Sequence, residues 1–215
     1  EAEKSMIFLT EGDSAAGTIT QARNSDYQAV FALRGKILNV QGKNRTEIYK
    51  NEELYNMMIA LGIEESMDNL RYGKVVIATD ADVDGFHIRI LIMTYFFTYF
   101  EELIEQGRLY ILETPLFRVR NKKENVYCYS EEERDEALKV VKSAEVTRFK
   151  GLGEIRSEEF KKFIGDEIKL VPVTYDSLRE IRQEMEFYMG DNTIDRQNFI
   201  RQNLKSEEEL EDINI

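Results

Sequence analysis

The stretch Val75–Val76–Ile77–Ala78–Thr79–Asp80–Ala81–Asp82–Val83–Asp84–Gly85 decides how the rest of the chain is read. The apolar run from Val75 to Ala78 has the length and composition of a buried strand. It leads into three carboxylates at alternate positions, then Gly85, which lets the backbone turn sharply. Carboxylates crowded at a strand end repel one another. A cation seated among them relieves the repulsion, and hard oxygen donors of this kind suit Mg²⁺ or Ca²⁺. A solvated acidic turn carries the same letters, so D-x-D-x-D-G alone leaves both readings open.

Two specific rivals share the pattern. An EF-hand loop also opens D-x-D-x-D-G, but its twelfth position is a bidentate glutamate, and counting from Asp80 that position is Leu91. The lead-in is also strand-like rather than helical. An aspartyl-nucleophile phosphatase places Asp-x-Asp after a strand with Thr or Val two places further on. Here that place holds Asp84, so the fit is partial.

Working outward, Met6–Thr10 and Gln28–Leu33 read as further strands, and Leu109–Leu112 and Leu116–Val119 as two more around Pro115. Glu11 closes the first strand, and Gly12–Asp13–Ser14–Ala15–Ala16–Gly17 follows as a turn into a helix, with Asp13 or Ser14 as N-cap. Asn51 opens a helix that carries Leu54, Met58 and Leu61 and ends at Gly62. Phe86–Gln106 reads as one helix, apolar nearly all round and therefore sandwiched, with His87 and Arg89 in its first turn beside anion-favouring N–H groups. Val126–Tyr129 pairs back on Leu116–Val119 as a hairpin, and Ser130 with Glu133 caps the next helix. Arg34–Gly35–Lys36 and Lys150–Gly151–Leu152–Gly153–Glu154 are two basic glycine turns able to meet phosphate. Helices at Asp176–Met189 and Ile194–Leu204 close the ordered part.

This alternation of strands and helices predicts an α/β fold with a parallel sheet, in which ligands bind beyond the carboxyl ends of the strands. If the strands ending at Glu11 and Asp80 are neighbours, Glu11, Asp80, Asp82 and Asp84 converge on one crevice. The net charge of −12 argues against broad nonspecific DNA binding, though not against a local basic site. The single cysteine, Cys128, excludes an internal disulfide and a cysteine-rich zinc site and fits a reducing compartment. No stretch qualifies as a transmembrane span, and Glu1–Ala2–Glu3–Lys4 does not resemble a signal peptide. The abrupt opening on a strand suggests a fragment of a longer protein.

Taken together, five pieces resemble the TOPRIM domain of type IIA DNA topoisomerases, in the B subunit of bacterial gyrase and topoisomerase IV. They are Glu11–Ala15, Arg34–Asn39, Thr79–Gly85 with His87–Arg89, Pro115–Leu116 and Lys150–Glu154. The similarity extends through Met189–Gly190–Asp191 and Arg196 to about Leu204. Ala32–Lys36 and Phe117–Lys123 look closer to topoisomerase IV than to gyrase. Ala16 stands where the family often has a second glycine, and Arg34 where gyrases often carry lysine.

The resemblance implies a TOPRIM, Rossmann-like parallel sheet flanked by helices, with a small helical and hairpin extension. It divides the chain into a metal-binding core over 1–115, an extension over 116–204 and an acidic tail over 205–215. It also implies reversible transesterification of DNA, in which a tyrosine oxygen displaces the deoxyribose 3′-oxygen. Glu11, Asp80, Asp82 and Asp84 would hold Mg²⁺, with Mn²⁺ or Ca²⁺ able to substitute in binding, and Glu11 would serve as general acid–base. Arg34, Lys36, Asn39, His87, Arg89 and Lys150 would hold the DNA backbone. The partners implied are double-stranded DNA and the tyrosine-bearing topoisomerase A subunit in an A2B2 heterotetramer, in the bacterial cytoplasm with the nucleoid and with no membrane. The family's ATP-binding motif is missing from these residues. A fragment that only docks DNA and the A subunit, or another TOPRIM phosphotransfer enzyme, are the alternative readings. The two basic turns argue against the latter.

Overall fold

A computed structural model describes residues 2–204, so the acidic tail expected over 205–215 lies outside the described residues. The chain divides into two compact units, Glu1–Thr174 and Tyr175–Ile215.

In the first unit, β1 (Met6–Glu11), α1 (Gly12–Ala22), β2 (Gln28–Leu33), α2 (Arg45–Lys50), α3 (Glu52–Leu61), β3 (Lys74–Ala78), α4 (Val83–Tyr99), α5 (Glu101–Glu105) and β4 (Leu109–Glu113) follow one another. Then come β5 (Phe117–Arg120), β6 (Asn125–Cys128), α6 (Glu131–Val140), β7 (Glu145–Arg148), α7 (Ser157–Phe163) and β8 (Lys169–Pro172). A five-stranded sheet has the order β2-β1-β3-β4-β8. The first four strands are parallel, and β8 joins antiparallel at the edge. This is the α/β architecture expected, a mainly parallel sheet flanked by helices.

Side chains alternate across a strand, and both faces of the central strands are buried. Met6, Phe8, Val76 and Ala78 share one core with Ala15 and Ile19 of α1 and Phe160 and Phe163 of α7. Ile7, Leu9, Val75 and Ile77, of opposite phase, are equally buried. Buried Gln28 ties the sheet edge to the α7 end, its Nε2 donating to the Ile164 carbonyl at 2.6 Å. A second, antiparallel sheet has the order β6-β5-β7 and closes its own small core with Ala137 and Val141 around α6. It is anchored by Arg118, whose Nη1 donates to both Glu159 oxygens at 2.8 and 3.1 Å. Removing either partner would strand a largely buried charge.

Four expectations need correction. The helix predicted over Phe86–Gln106 starts at Val83, because Asp82 caps it by accepting the Gly85 N–H at 2.8 Å. It also breaks at Phe100, whose φ of −140° and ψ of 46° are not helical, so α5 is a separate piece. His87 and Arg89 therefore lie in the second turn rather than the first. Nor is the helix buried all round: Ile88, Leu91, Ile92, Tyr95 and Phe96 are covered while Phe86 is 58% exposed. Finally, α1 starts at Gly12 with Glu11 in the N-cap position, so neither Asp13 nor Ser14 caps it.

In the second unit, α8 (Leu178–Met189) is capped by Ser177 and followed by α9 (Thr193–Asn203). Phe187 meets Phe199 edge-on at 5.6 Å, and Arg196 donates to the Asn192 side chain at 2.8 Å. Neither helix has a buried residue. Among the described residues no helix is long and apolar enough to cross a membrane.

Phe8 is fully buried in the central sheet. Phe8→Ala should cost about 3–5 kcal/mol in urea denaturation, the range for a large core truncation. A loss under about 1 kcal/mol would contradict this packing.

Candidate metal centre

The parallel pairing of β1 with both β2 and β3 builds the site. The register sets Thr10 beside Ala78 and Glu11 beside Leu33. Glu11, the loop from Thr79 to Asp82 with the first turn of α4, and the turn from Arg34 to Lys36 thus leave the sheet at its carboxyl end, with adjacent strands about 4.8 Å apart. Gly85 is required in the first turn of α4, where the helix packs on this loop. A Cβ there would lie 2.2 Å from the Asp80 carbonyl oxygen, which is backbone and cannot yield.

The electrostatics are those of like charges drawn together. Partial burial raises the Glu11 carboxyl above its ordinary value, and the charges of Asp80 and Asp82 raise it further. A backbone N–H of Asp80 works weakly in the opposite sense. Glu11 Oε2 is buried and has no hydrogen-bond partner. Asp80 is raised as well, mainly by burial. The Leu152 N–H, donated to its Oδ1 at 2.8 Å, opposes that rise, and Asp82 and Glu154 add to it.

Asp84 differs. It is exposed and pairs with Lys36 Nζ at 2.7 Å, and that bond and charge hold its carboxyl below the ordinary range. Asp82 Oδ1 is engaged as the α4 cap. The side chains therefore do not form a closed ligand cage: among the described residues no group of three or more His, Cys, Asp or Glu is arranged to hold a metal ion. What fits a cation is the pair Glu11 and Asp80. One of their oxygens is buried and orphaned, and both carboxyls are destabilised in their charged forms by neighbouring acids. A divalent ion would remove both penalties, and an ion such as Mg²⁺ is commonly held by one or two carboxylates with water and substrate phosphate.

The candidate phosphate-binding residues divide in two. Arg34, Lys36, His87 and Lys150 are exposed, while Asn39 is half-buried and accepts the Gln41 N–H at 3.1 Å. Arg89 is half-buried, donates to Thr79 Oγ1 at 3.3 and 3.4 Å and lies over the Phe86 ring. Its guanidinium braces the end of β3 from α4. One functional relationship escaped sequence reasoning: the Lys150–Glu154 turn docks directly on the acidic loop, with the Ala81 N–H donating to the Lys150 carbonyl at 2.9 Å.

The raised carboxyls carry a pH signature. The ordinary values are 4.5 for Glu11 and 3.8 for Asp80, and the folded chain binds these protons more tightly than the unfolded chain does. The resulting stability is complete below those values and is lost as pH rises through the raised ones. In EDTA, Glu11→Gln should therefore show a smaller fall in melting temperature from acid to neutral pH than the wild type, and melt higher at neutral pH. A steeper fall in the variant would contradict the charge-crowding account.

Residues 6–114 match the Toprim domain family. The chain is 62% identical over 206 residues to the B subunit of DNA topoisomerase 4 from Borreliella burgdorferi, covering 95% of this chain and 34% of that protein. It is 40% identical over 217 residues to the B subunit of DNA gyrase from Thermotoga maritima, covering 97% of this chain and 34% of that one. It thus spans about a third of the length of these curated relatives. Among solved structures, the Plasmodium falciparum topoisomerase II DNA-binding, cleavage and re-ligation domain superposes with a TM-score of 0.82 over 95% of this chain and 30% of its own. At 24% identity that likeness speaks for the fold alone.

Proposed function

The chain belongs to the Toprim domain family, and from that premise we propose that it is the metal-carrying part of a type IIA topoisomerase B subunit, working with a tyrosine-bearing A subunit in reversible DNA cleavage. Toprim domains generally bind metal. The finer assignment to Mg²⁺ belongs to this proposal. The observation that carries it is the adjacency of β1 and β3, which brings Glu11 and Asp80 to the carboxyl end of the sheet, where the Asp80 charge raises the Glu11 carboxyl.

In this reading Glu11 and Asp80 hold the ion, Asp82 lies close enough to contribute, and Asp84 faces the rim with Lys36. When bound, Mg²⁺ supplies Lewis-acid stabilisation of negative charge developing on the leaving 3′-oxygen. Glu11 is also the candidate to give a proton to that oxygen in cleavage and take it back in religation. Breaking and rejoining are transesterifications, so one residue serves both directions.

Lys36 and Lys150, both exposed, offer cations to the DNA backbone, with Arg34 and His87 beside them in the proposal. Lys36 is paired with Asp84. A phosphate arriving at Lys36 competes with Asp84, so DNA binding and release of Asp84 toward the ion are coupled. The attacking tyrosine and most of the basic surface come from the A subunit, which reconciles a chain of net charge −12 with a polyanionic substrate.

Reconstitution with duplex DNA and an A subunit in Mg²⁺ tests this. Denaturing gels should show DNA covalently attached to the A subunit, and Asp80→Ala should cut the adduct on the order of 10²-fold or more while the fold survives. Adduct on this chain, or unchanged cleavage by Asp80→Ala, would overturn the proposal.

A further inference from the structure

The Lys150–Glu154 turn reads in sequence as a basic turn near DNA, yet its backbone contacts point elsewhere. The Leu152 N–H donates to Asp80 Oδ1 at 2.8 Å. The Lys150 carbonyl accepts the Ala81 N–H at 2.9 Å, stitching the turn to the residue after Asp80. Glu154 Oε2 accepts the Lys150 N–H at 2.9 Å and closes the turn on itself. On its other side the turn meets α1, which starts immediately after Glu11. A Cβ on Gly153 would lie 2.4 Å from Ser14 Oγ. Leu152 is buried in the same core as Ala15 and Ile19.

We infer that this turn is a positioning clamp: it fixes the Asp80 carboxylate through Leu152 and, by gripping α1 as well, sets the separation of Asp80 from Glu11. The inference rests on the reading of those two residues as the ion-holding pair. Outer-shell hydrogen bonds of this type orient ligating carboxylates and tune affinity. They also cost nothing to reorganise when the ion arrives, since the carboxylate is already aimed.

Gly151 supplies the sharpest test. Its φ of −116° and ψ of 149° are an extended conformation that alanine adopts freely, so a methyl there leaves the backbone unstrained. That methyl would lie 3.1 Å from Asp80 Oδ2 and press the carboxylate away by a few tenths of an ångström. Glu154→Ala opens the turn by removing the acceptor for Lys150, whereas Glu154→Gln retains an acceptor and removes only charge.

Mn²⁺ binding to the whole chain, read by electron paramagnetic resonance of the free ion, should be roughly tenfold weaker in Gly151→Ala and Glu154→Ala, and close to wild type in Glu154→Gln. Amide exchange at Leu152 should quicken in Glu154→Ala and not in Glu154→Gln. Wild-type affinity in Gly151→Ala would overturn the clamp. So would equal weakening by Gln and Ala at position 154, since Glu154 would then act through its charge. A wild-type chain that binds no Mn²⁺ would overturn the ion-holding reading itself, and the clamp with it.

Discussion

Two parallel strands that end in acids, side by side, are the constraint on which the site depends. β1 and β3 are the most deeply buried strands of the sheet, and their pairing is enforced from both faces by apolar side chains of both phases. A slip of one residue would send every one of those side chains to the opposite face. The hydrophobic register therefore fixes where Glu11 and Asp80 emerge, and the mutual repulsion of their carboxylates is imposed by the core rather than chosen by the loop.

The surrounding elements manage that repulsion in different ways. Asp82 turns its carboxylate into the start of α4, where the unpaired N–H groups and the helix dipole favour a negative charge. Asp84 is neutralised by Lys36 from the turn that follows β2. Asp80 is held by a backbone N–H from a distant part of the chain. Glu11 alone is left with a buried oxygen that nothing satisfies. The site thus gathers four carboxylates in four different electrostatic situations, and only two of them retain the unrelieved charge that favours a cation.

The fold was legible where hydrophobic burial dominates. Val75–Ala78 and Met6–Thr10 announce buried strands because such short apolar runs, bounded by polar residues, fit the interior of a parallel sheet. The edge was less so: β8, Lys169–Pro172, is largely exposed and packs one apolar residue of four partway, so its pattern does not separate it from a loop. Helices α7 and α2 escaped because, at 7 and 6 residues, they are too short to show a helical period. The start of α4 was misplaced because an aspartate read as a ligand also serves as a helix cap, and letters do not distinguish the two roles. In the site, Glu11 and the aspartates were visible as acids at strand ends. The splitting of their roles was not, since it depends on Lys36 and Leu152, which reach them through tertiary contacts.

The central claim is that one divalent ion is held by Glu11 and Asp80 together. Crystals of the chain grown at high Mn²⁺ concentration, measured at the manganese absorption edge, test it most directly. The account predicts an anomalous peak with oxygen ligands from both carboxylates, while Asp82 Oδ1 stays on the Gly85 N–H. A peak bound by Asp84 and Asp82 away from Glu11, or none at saturating Mn²⁺, would contradict it.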